Sequence, residues 1–147
     1  MSRPELDGPP EGMGEGDAEL LTTARDLLER VYREGRHEVA TAFRMSDGTV
    51  VTGVHVDGTA RRSTVCAEGA ASGAAVAHAA GSDVGVVALV SVLRRRAGTW
   101  HLIEPCGVCA ELLSDYWPDA RVWVTDGDAS RAVAVRHLLP YKKVREG

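Results

Sequence analysis

Val84-Gly85-Val86-Val87-Ala88-Leu89-Val90-Ser91-Val92-Leu93 is a nearly continuous apolar run, and the rest of the chain has to be arranged around it. A strand wetted on one face alternates apolar and polar residues, whereas this pattern belongs to a strand covered on both faces. It therefore predicts a central strand with helices above and below its sheet.

The flanking segments supply the layers. Residues 66–80 are dominated by Ala and Gly, with Ser72, Val76 and His78 among them. Gly69 and Gly73 lower helix propensity, so a helix here must be held by packing, and its small side chains permit close approach to a sheet. A buried central helix capped at Gly81 is expected. Cys106 to Tyr116 reads as another helix ended before Pro118, Arg121 to Thr125 as a strand, and Val133 to Val135 as a fifth strand. A short final helix is expected around Arg136 to Leu139. Upstream, Val39–Phe43 and Thr49–Val56 flank Ser46-Asp47-Gly48, two β-prone runs around an Asp-Gly turn that read as a hairpin. Leu20, Ala24, Leu27, Leu28 and Val31 recur at helical spacing, with Asp17 as N-cap and Gly35 as stop. The order implies a three-layer α/β/α sandwich with a mixed five-stranded sheet, forming a single domain over residues 17–147. Residues 1–16 hold Pro4, Pro9, Pro10 and four glycines with several acids and almost nothing to bury, so an acidic disordered tail is expected there.

Composition narrows the partners. The 147 residues are 44% hydrophobic and 26% charged, ordinary for a globular domain. A net charge of −4 argues against nucleic acid, which needs a clustered basic surface. Arg61-Arg62 and Arg94-Arg95-Arg96 read as solvated strand or loop ends, and Trp100, Trp117 and Trp123 as core or interface residues. His78, His101 and His137 read as structural or exposed. No apolar run approaches the roughly 20 residues of a membrane span, and the start lacks a signal-peptide pattern. The expectation is a cytoplasmic protein without nucleic-acid or membrane partners, in whose reducing surroundings free thiols serve better as metal ligands than as disulfides.

All three cysteines fall in one pattern: Cys66-Ala67-Glu68, then Pro105-Cys106-Gly107-Val108-Cys109. Three thiolates can fill three corners of a tetrahedron around Zn²⁺ and leave the fourth open, which distinguishes a catalytic from a closed structural site. Cys66 and Cys106 each precede a helix, whose free N–H groups support anionic sulfur. Glu68, two residues beyond a ligand, can reach the pocket as a proton carrier without ligating the metal. Zinc makes water nucleophilic near neutral pH, so the set reads as the site of a hydrolytic deaminase. A histidine as fourth ligand would make it structural instead.

The same residues resemble the cytidine deaminase superfamily, specifically the small tetrameric branch with three cysteine ligands. Ser46 to Gly53 matches that family's approach to its first ligand. Val39-Ala40-Thr41-Ala42, Ala132 to Pro140 and the ending Val144-Arg145-Glu146-Gly147 look more like the blasticidin S deaminases. The resemblance implies attack on C4 of a cytosine ring with loss of ammonia, one zinc per chain, a small-molecule substrate and a homotetramer. It implies that the backbone of Ala67 and the carbonyl of Glu104 orient the base.

The chain also departs from that pattern. Where typical members have Asn-Val-Glu-Asn to hold the ribose, this one has His55-Val56-Asp57-Gly58. The usual Phe before the first strand aligns with His37, which can still stack or lie in a loop. Arginines that offset thiolate charge are replaced by Gly69 and Ala110. His55 and Asp57 therefore serve either a sugar or the turn itself. Three readings follow: a cytosine nucleoside or nucleoside-antibiotic deaminase, a deaminase of another amino-heterocycle or guanidine, and a non-catalytic zinc domain. A nucleic-acid base deaminase is disfavoured by the acidic balance and the cysteine first ligand.

Overall fold

The computed structural model describes residues 3–143 and residue 145; the resemblance at Val144, Glu146 and Gly147 lies outside the described residues. Among the described residues there are three α-helices and six strands: α1 (Glu15–Val31), β1 (Val39–Met45), β2 (Val50–Val54), α2 (Ala67–Ala79), β3 (Val86–Arg94), β4 (Trp100–Ile103), α3 (Gly107–Tyr116), β5 (Arg121–Asp126) and β6 (Ala129–Ala134). Single turns of 3₁₀ helix lie at Arg61–Ser63 and Val135–Leu138.

The expected sandwich forms, with a sheet of six strands rather than five. Its path is β2-β1-β3-β5-β6, and β3 pairs with β5 in parallel while its other strand pairings are antiparallel. The strand missing from the expectation is β4, whose four residues are too few to show a period but complete the hydrogen bonds of the second half of β3. The β1–β2 hairpin turns at Gly48, whose φ of +90° suits a residue without Cβ.

Alternation along the strands separates two cores. Ala40, Ala42, Ala88, Val90, Val92 and Trp123 face α1 and its Leu20, Leu21, Ala24 and Leu28. Phe43, Leu89, Val122 and Val124 face the other way, against Ala71 and Ala75 of α2 and Leu113 of α3. Each buried leucine of α1 contributes roughly 1.5–3 kcal/mol. Side chains of β3 thus point into both cores, as its apolar run predicts.

Three local expectations are corrected. Gly14, not Asp17, is the N-cap of α1; Asp17 is buried in the first turn, where both carboxylate oxygens accept from Arg121 at 2.7 Å and one also from Trp123 Nε1 at 2.7 Å. These bonds tie α1 to β5 and hold the Asp17 carboxyl below its usual range, the guanidinium of Arg121 being the main cause. Helix α2 buries one face only, and Ala80, with φ of +48°, caps it before Gly81. Residues 3–16 are not a detached tail: Leu6 is buried and its N–H donates to the Trp100 carbonyl at 2.7 Å, and the Pro4 carbonyl meets His101 Nδ1 at 2.9 Å. One leucine and an open strand edge suffice to anchor a Pro/Gly-rich stretch whose composition reads as disordered.

Candidate active site

Helices α2 and α3 bring the three sulfurs together. Cys66 and Cys106 are their N-caps, and Cys109 lies in the first turn of α3. The three Sγ atoms lie within 4.8 Å of one another, with Cys66 and Cys106 at 3.5 Å. Sulfurs on a tetrahedral zinc at about 2.3 Å stand about 3.8 Å apart, so the donor set and its size fit the ion. Among the described residues this is the only such cluster.

The thiols differ in environment. Burial pushes Cys66 up, assisted by the neighbouring Cys106. Cys109, only 2% exposed, is driven far up by burial and then by the charges of Glu68, Cys106 and Cys66. Burial opposes ionisation of Cys106 too, but the N–H groups of Cys109 and Val108 and the Cys66 thiol outweigh it, so Cys106 titrates below an ordinary thiol. The N-terminal turn of α3 thus provides part of the support that arginines at Gly69 and Ala110 would give. A divalent cation held by Cys66, Cys106 and Cys109 would offset the remaining repulsion among the thiolates.

Glu68 sits in the first turn of α2, 3% exposed. Its Oε1 accepts from Ser91 Oγ at 2.7 Å, and Ser91 Oγ lies 2.8 Å from Thr41 Oγ1. The close seat of α2 depends on Gly53 of β2: a Cβ there would lie 2.2 Å from the Ala67 carbonyl oxygen and 2.6 Å from Ala71 N. The small residues at 66–80 and Gly53 together let helix and sheet approach this closely.

A cavity of about 350 Å³ opens over Cys66, Cys106, Ala67 and Glu68, walled by His55, Glu38, Glu104, Arg3 and the apolar Val39, Leu93, Ile103 and Pro105. Its size suits a small molecule. Of the residues expected at the substrate, Ala67, His55 and Glu104 reach it, whereas His37 and Asp57 do not line it. His37 Nδ1 is engaged with the His55 carbonyl at 3.0 Å, which holds the start of β1 to the end of β2. Asp57 accepts from Thr64 Oγ1 and lies 3.7 Å from His55 Nε2, so it serves its own turn. His55 Nδ1 accepts from the Glu38 N–H at 3.3 Å, which leaves the ring's proton on Nε2, toward Asp57.

Other contributors were not legible in advance. The guanidinium of Arg3 pairs with the Glu104 carboxylate, which holds that carboxyl below its usual range; Glu38 accepts from the Gly35 N–H at 3.0 Å. Nothing in the sequence spacing brings Arg3 to residue 104. Ser91 did carry a signal, as the lone hydroxyl in the apolar run. A larger depression of about 450 Å³ lies between the glycines of residues 12–16 and β5–β6, but its Asp17 and Arg121 are already paired.

Three convergent sulfurs beside a buried carboxylate, at the floor of a cavity in an α/β/α sandwich, define a zinc-dependent hydrolytic site. The family model for the cytidine and deoxycytidylate deaminase zinc-binding region matches residues 15–125. The chain is 31% identical over 130 residues to a blasticidin-S deaminase of Bacillus cereus, covering 88% of this chain and 93% of that protein. It is 30% identical over 125 residues to a cytidine deaminase of Halalkalibacterium halodurans, covering 82% and 89%. The crystal structure of cytidine deaminase from Burkholderia pseudomallei superposes with a TM-score of 0.69 at 26% identity, covering 88% of this chain and 98% of that one. The chain belongs to the cytidine and deoxycytidylate deaminase family and is a zinc-dependent hydrolytic deaminase.

Proposed function

We propose that this protein deaminates a small cytosine nucleoside or cytosine nucleoside antibiotic, with cytidine, deoxycytidine and blasticidin S as the compounds to try first. The products are ammonia and the corresponding uracil compound. The observation that carries the reading is the Glu68 carboxylate, 3% exposed yet on the wall of a cavity shared with Cys66 and Cys106. A proton carrier must be shielded from bulk water and open to the substrate, and this placement meets both needs.

In this reading Cys66, Cys106 and Cys109 hold one zinc ion. Bound there, zinc supplies a Lewis-acidic centre that makes water a nucleophile near neutral pH. Glu68 takes the proton released from water and passes it to the ring nitrogen. It then takes the proton of the hydroxyl newly added at C4 and gives it to the departing amine, so that the C4–N bond breaks as the carbonyl of the uracil forms. The backbone at Ala67 and Glu104 orients the base, and His55 offers a hydrogen bond to what the base carries. Apolar walls at Val39, Leu93, Ile103 and Pro105 exclude competing water. Asp57, tied to Thr64, supports the narrower claim that the family's ribose clamp is altered and that a different amino-heterocycle is a second substrate class.

Association into a homotetramer is part of the proposal, supported by exposed apolar residues on the outer helices, Val76 on α2 and Val108 and Tyr116 on α3. So is a cytoplasmic location; among the described residues no helix is long and apolar enough to cross a membrane.

Ammonia release from cytidine, deoxycytidine and blasticidin S by the zinc-loaded protein tests the reading, and comparing kcat/KM across the three ranks the substrates. The Glu68→Gln protein should keep its zinc and its fold while losing about 10²–10⁴-fold in kcat. Wild-type protein that releases no ammonia from these or from a broader amino-heterocycle panel ends the proposal, and indifference to Glu68→Gln would favour a binding module.

A further inference from the structure

We infer that Ser91, steadied by Thr41, is the positioning residue that holds the Glu68 carboxylate in its working orientation; this rests on the reading in which Glu68 carries the proton. The geometry starts from strand register. Gly53 of β2, Thr41 of β1 and Ser91 of β3 are successive cross-strand partners, forming one row across the sheet. The first turn of α2 lies on that row, since the Gly53 position meets the Ala67 carbonyl and Ser91 meets Glu68.

Two hydroxyls at the centre of such a sheet require a purpose. Thr41 is 0% exposed and Ser91 1%, in strands whose neighbours are otherwise apolar. A buried hydroxyl without a partner is destabilising, and an alanine or valine would fill either place. Instead they form a line: Thr41 Oγ1 lies 3.1 Å from the Val90 carbonyl, Ser91 Oγ 2.8 Å from Thr41 Oγ1, and Glu68 Oε1 2.7 Å from Ser91 Oγ. Ser91 has one hydroxyl proton, and the carboxylate is its strongest acceptor. With Ser91 donating that proton to Oε1, Thr41 turns its own hydroxyl proton to Ser91 Oγ at 2.8 Å and keeps Ser91 from turning away.

The consequence concerns the other carboxylate oxygen. A glutamate has three side-chain torsions, the last of them broad, and at the floor of a cavity it can point in several directions. Fixing Oε1 to the central strand fixes the plane of the carboxylate and leaves Oε2 as the free oxygen. The placement of Glu68 then follows from the sheet rather than from α2 alone. Ser91 does not touch the substrate; it acts through Glu68.

The test combines turnover with a stability cycle. In zinc-loaded protein, Ser91→Ala should lower kcat ten- to a hundred-fold, about 1.4–2.7 kcal/mol at 1.36 kcal/mol per factor of ten. KM should stay within about two-fold and zinc content at one per chain, because neither binding nor ligation involves the hydroxyl. Ser91→Thr, which keeps a hydroxyl, should recover most of the rate, and Thr41→Val should show a smaller fall of a few-fold. Independently of activity, urea unfolding of Ser91→Ala, Glu68→Ala and the double variant should be non-additive, with Ser91→Ala lowering the midpoint far less once residue 68 is alanine. Unchanged kcat in Ser91→Ala, a loss that appears in KM instead, or additive unfolding midpoints overturns the inference. A wild-type protein inactive on every compound sinks the deaminase reading, and the unfolding cycle then still decides the Ser91–Glu68 contact.

Discussion

Replacing Gly53 by alanine probes how the fold holds the site. The new methyl would lie 2.2 Å from the Ala67 carbonyl oxygen and 2.6 Å from Ala71 N, where ordinary contact begins at 3.4 Å. Both neighbours are backbone atoms of a helix, so no rotamer change relieves the clash and α2 has to lift from the sheet by roughly 1 Å. Its first turn carries Glu68 and follows Cys66, while Ser91 stays behind on β3. Overpacking of this kind is destabilising by about 1–3 kcal/mol, which lowers the melting temperature by about 3–10 °C for a chain of this size. Displacement of a reacting group by about 1 Å lowers turnover about a hundred-fold. Melting curves, zinc per chain and ammonia release on the same samples read the three effects. The matched comparison is Gly73→Ala on the same helix, where nothing lies within 4 Å; there alanine should raise stability by about 0.5–1 kcal/mol and leave turnover unchanged. A Gly53→Ala protein that melts and turns over like wild type would refute the claim that this close contact sets the site.

Other expectations are independent of Gly53. Asp17→Asn should be destabilising by about 2–3 kcal/mol, since it weakens two bonds to Arg121 and one to Trp123 around a buried carboxylate. Because the Asp17 carboxyl is held below its usual range, its contribution is complete above the unfolded value of about 3.9 and is lost as pH falls through the lower folded value. Urea titrations should therefore show a constant gap between wild type and Asp17→Asn at neutral pH that closes in acid. Arg3→Ala should change KM several-fold with less than about 1 kcal/mol of stability lost, because the pair with Glu104 is about one-third exposed but lies on the cavity wall; an unchanged KM would show that Arg3 is only an anchor. Chelation of zinc should abolish ammonia release and lower the melting temperature, with zinc alone restoring both; free zinc at a hundred times its dissociation constant adds about 2.7 kcal/mol.

Much of this protein is readable from local pattern. The apolar run of β3 required cover on both faces because a strand buried twice has no polar alternation. The Asp47-Gly48 turn specified its hairpin because few residues other than glycine adopt the needed φ. Cysteine chemistry did the same for the proposed zinc site: three thiols at two helix starts are the candidate ligands, with an adjacent carboxylate as the candidate proton carrier. Short or composite features were not readable. Four residues of β4 carry no period, and a Pro/Gly-rich segment anchored by Leu6 has the composition of a disordered one. Asp57 and His37 stand near the site in sequence but spend their hydrogen bonds on Thr64 and on the His55 carbonyl.

The sequence by itself determined the reaction class, because ligand type and the spacing of Cys66, Glu68, Cys106 and Cys109 are local properties of two helix starts. Only the tertiary structure decided what surrounds them. Arg3 meets Glu104 across 101 positions, and Ser91 meets Glu68 across 23. Such contacts depend on strand register and on how closely a helix can approach a sheet, and no stretch of sequence records either until Gly53 lets the two come together.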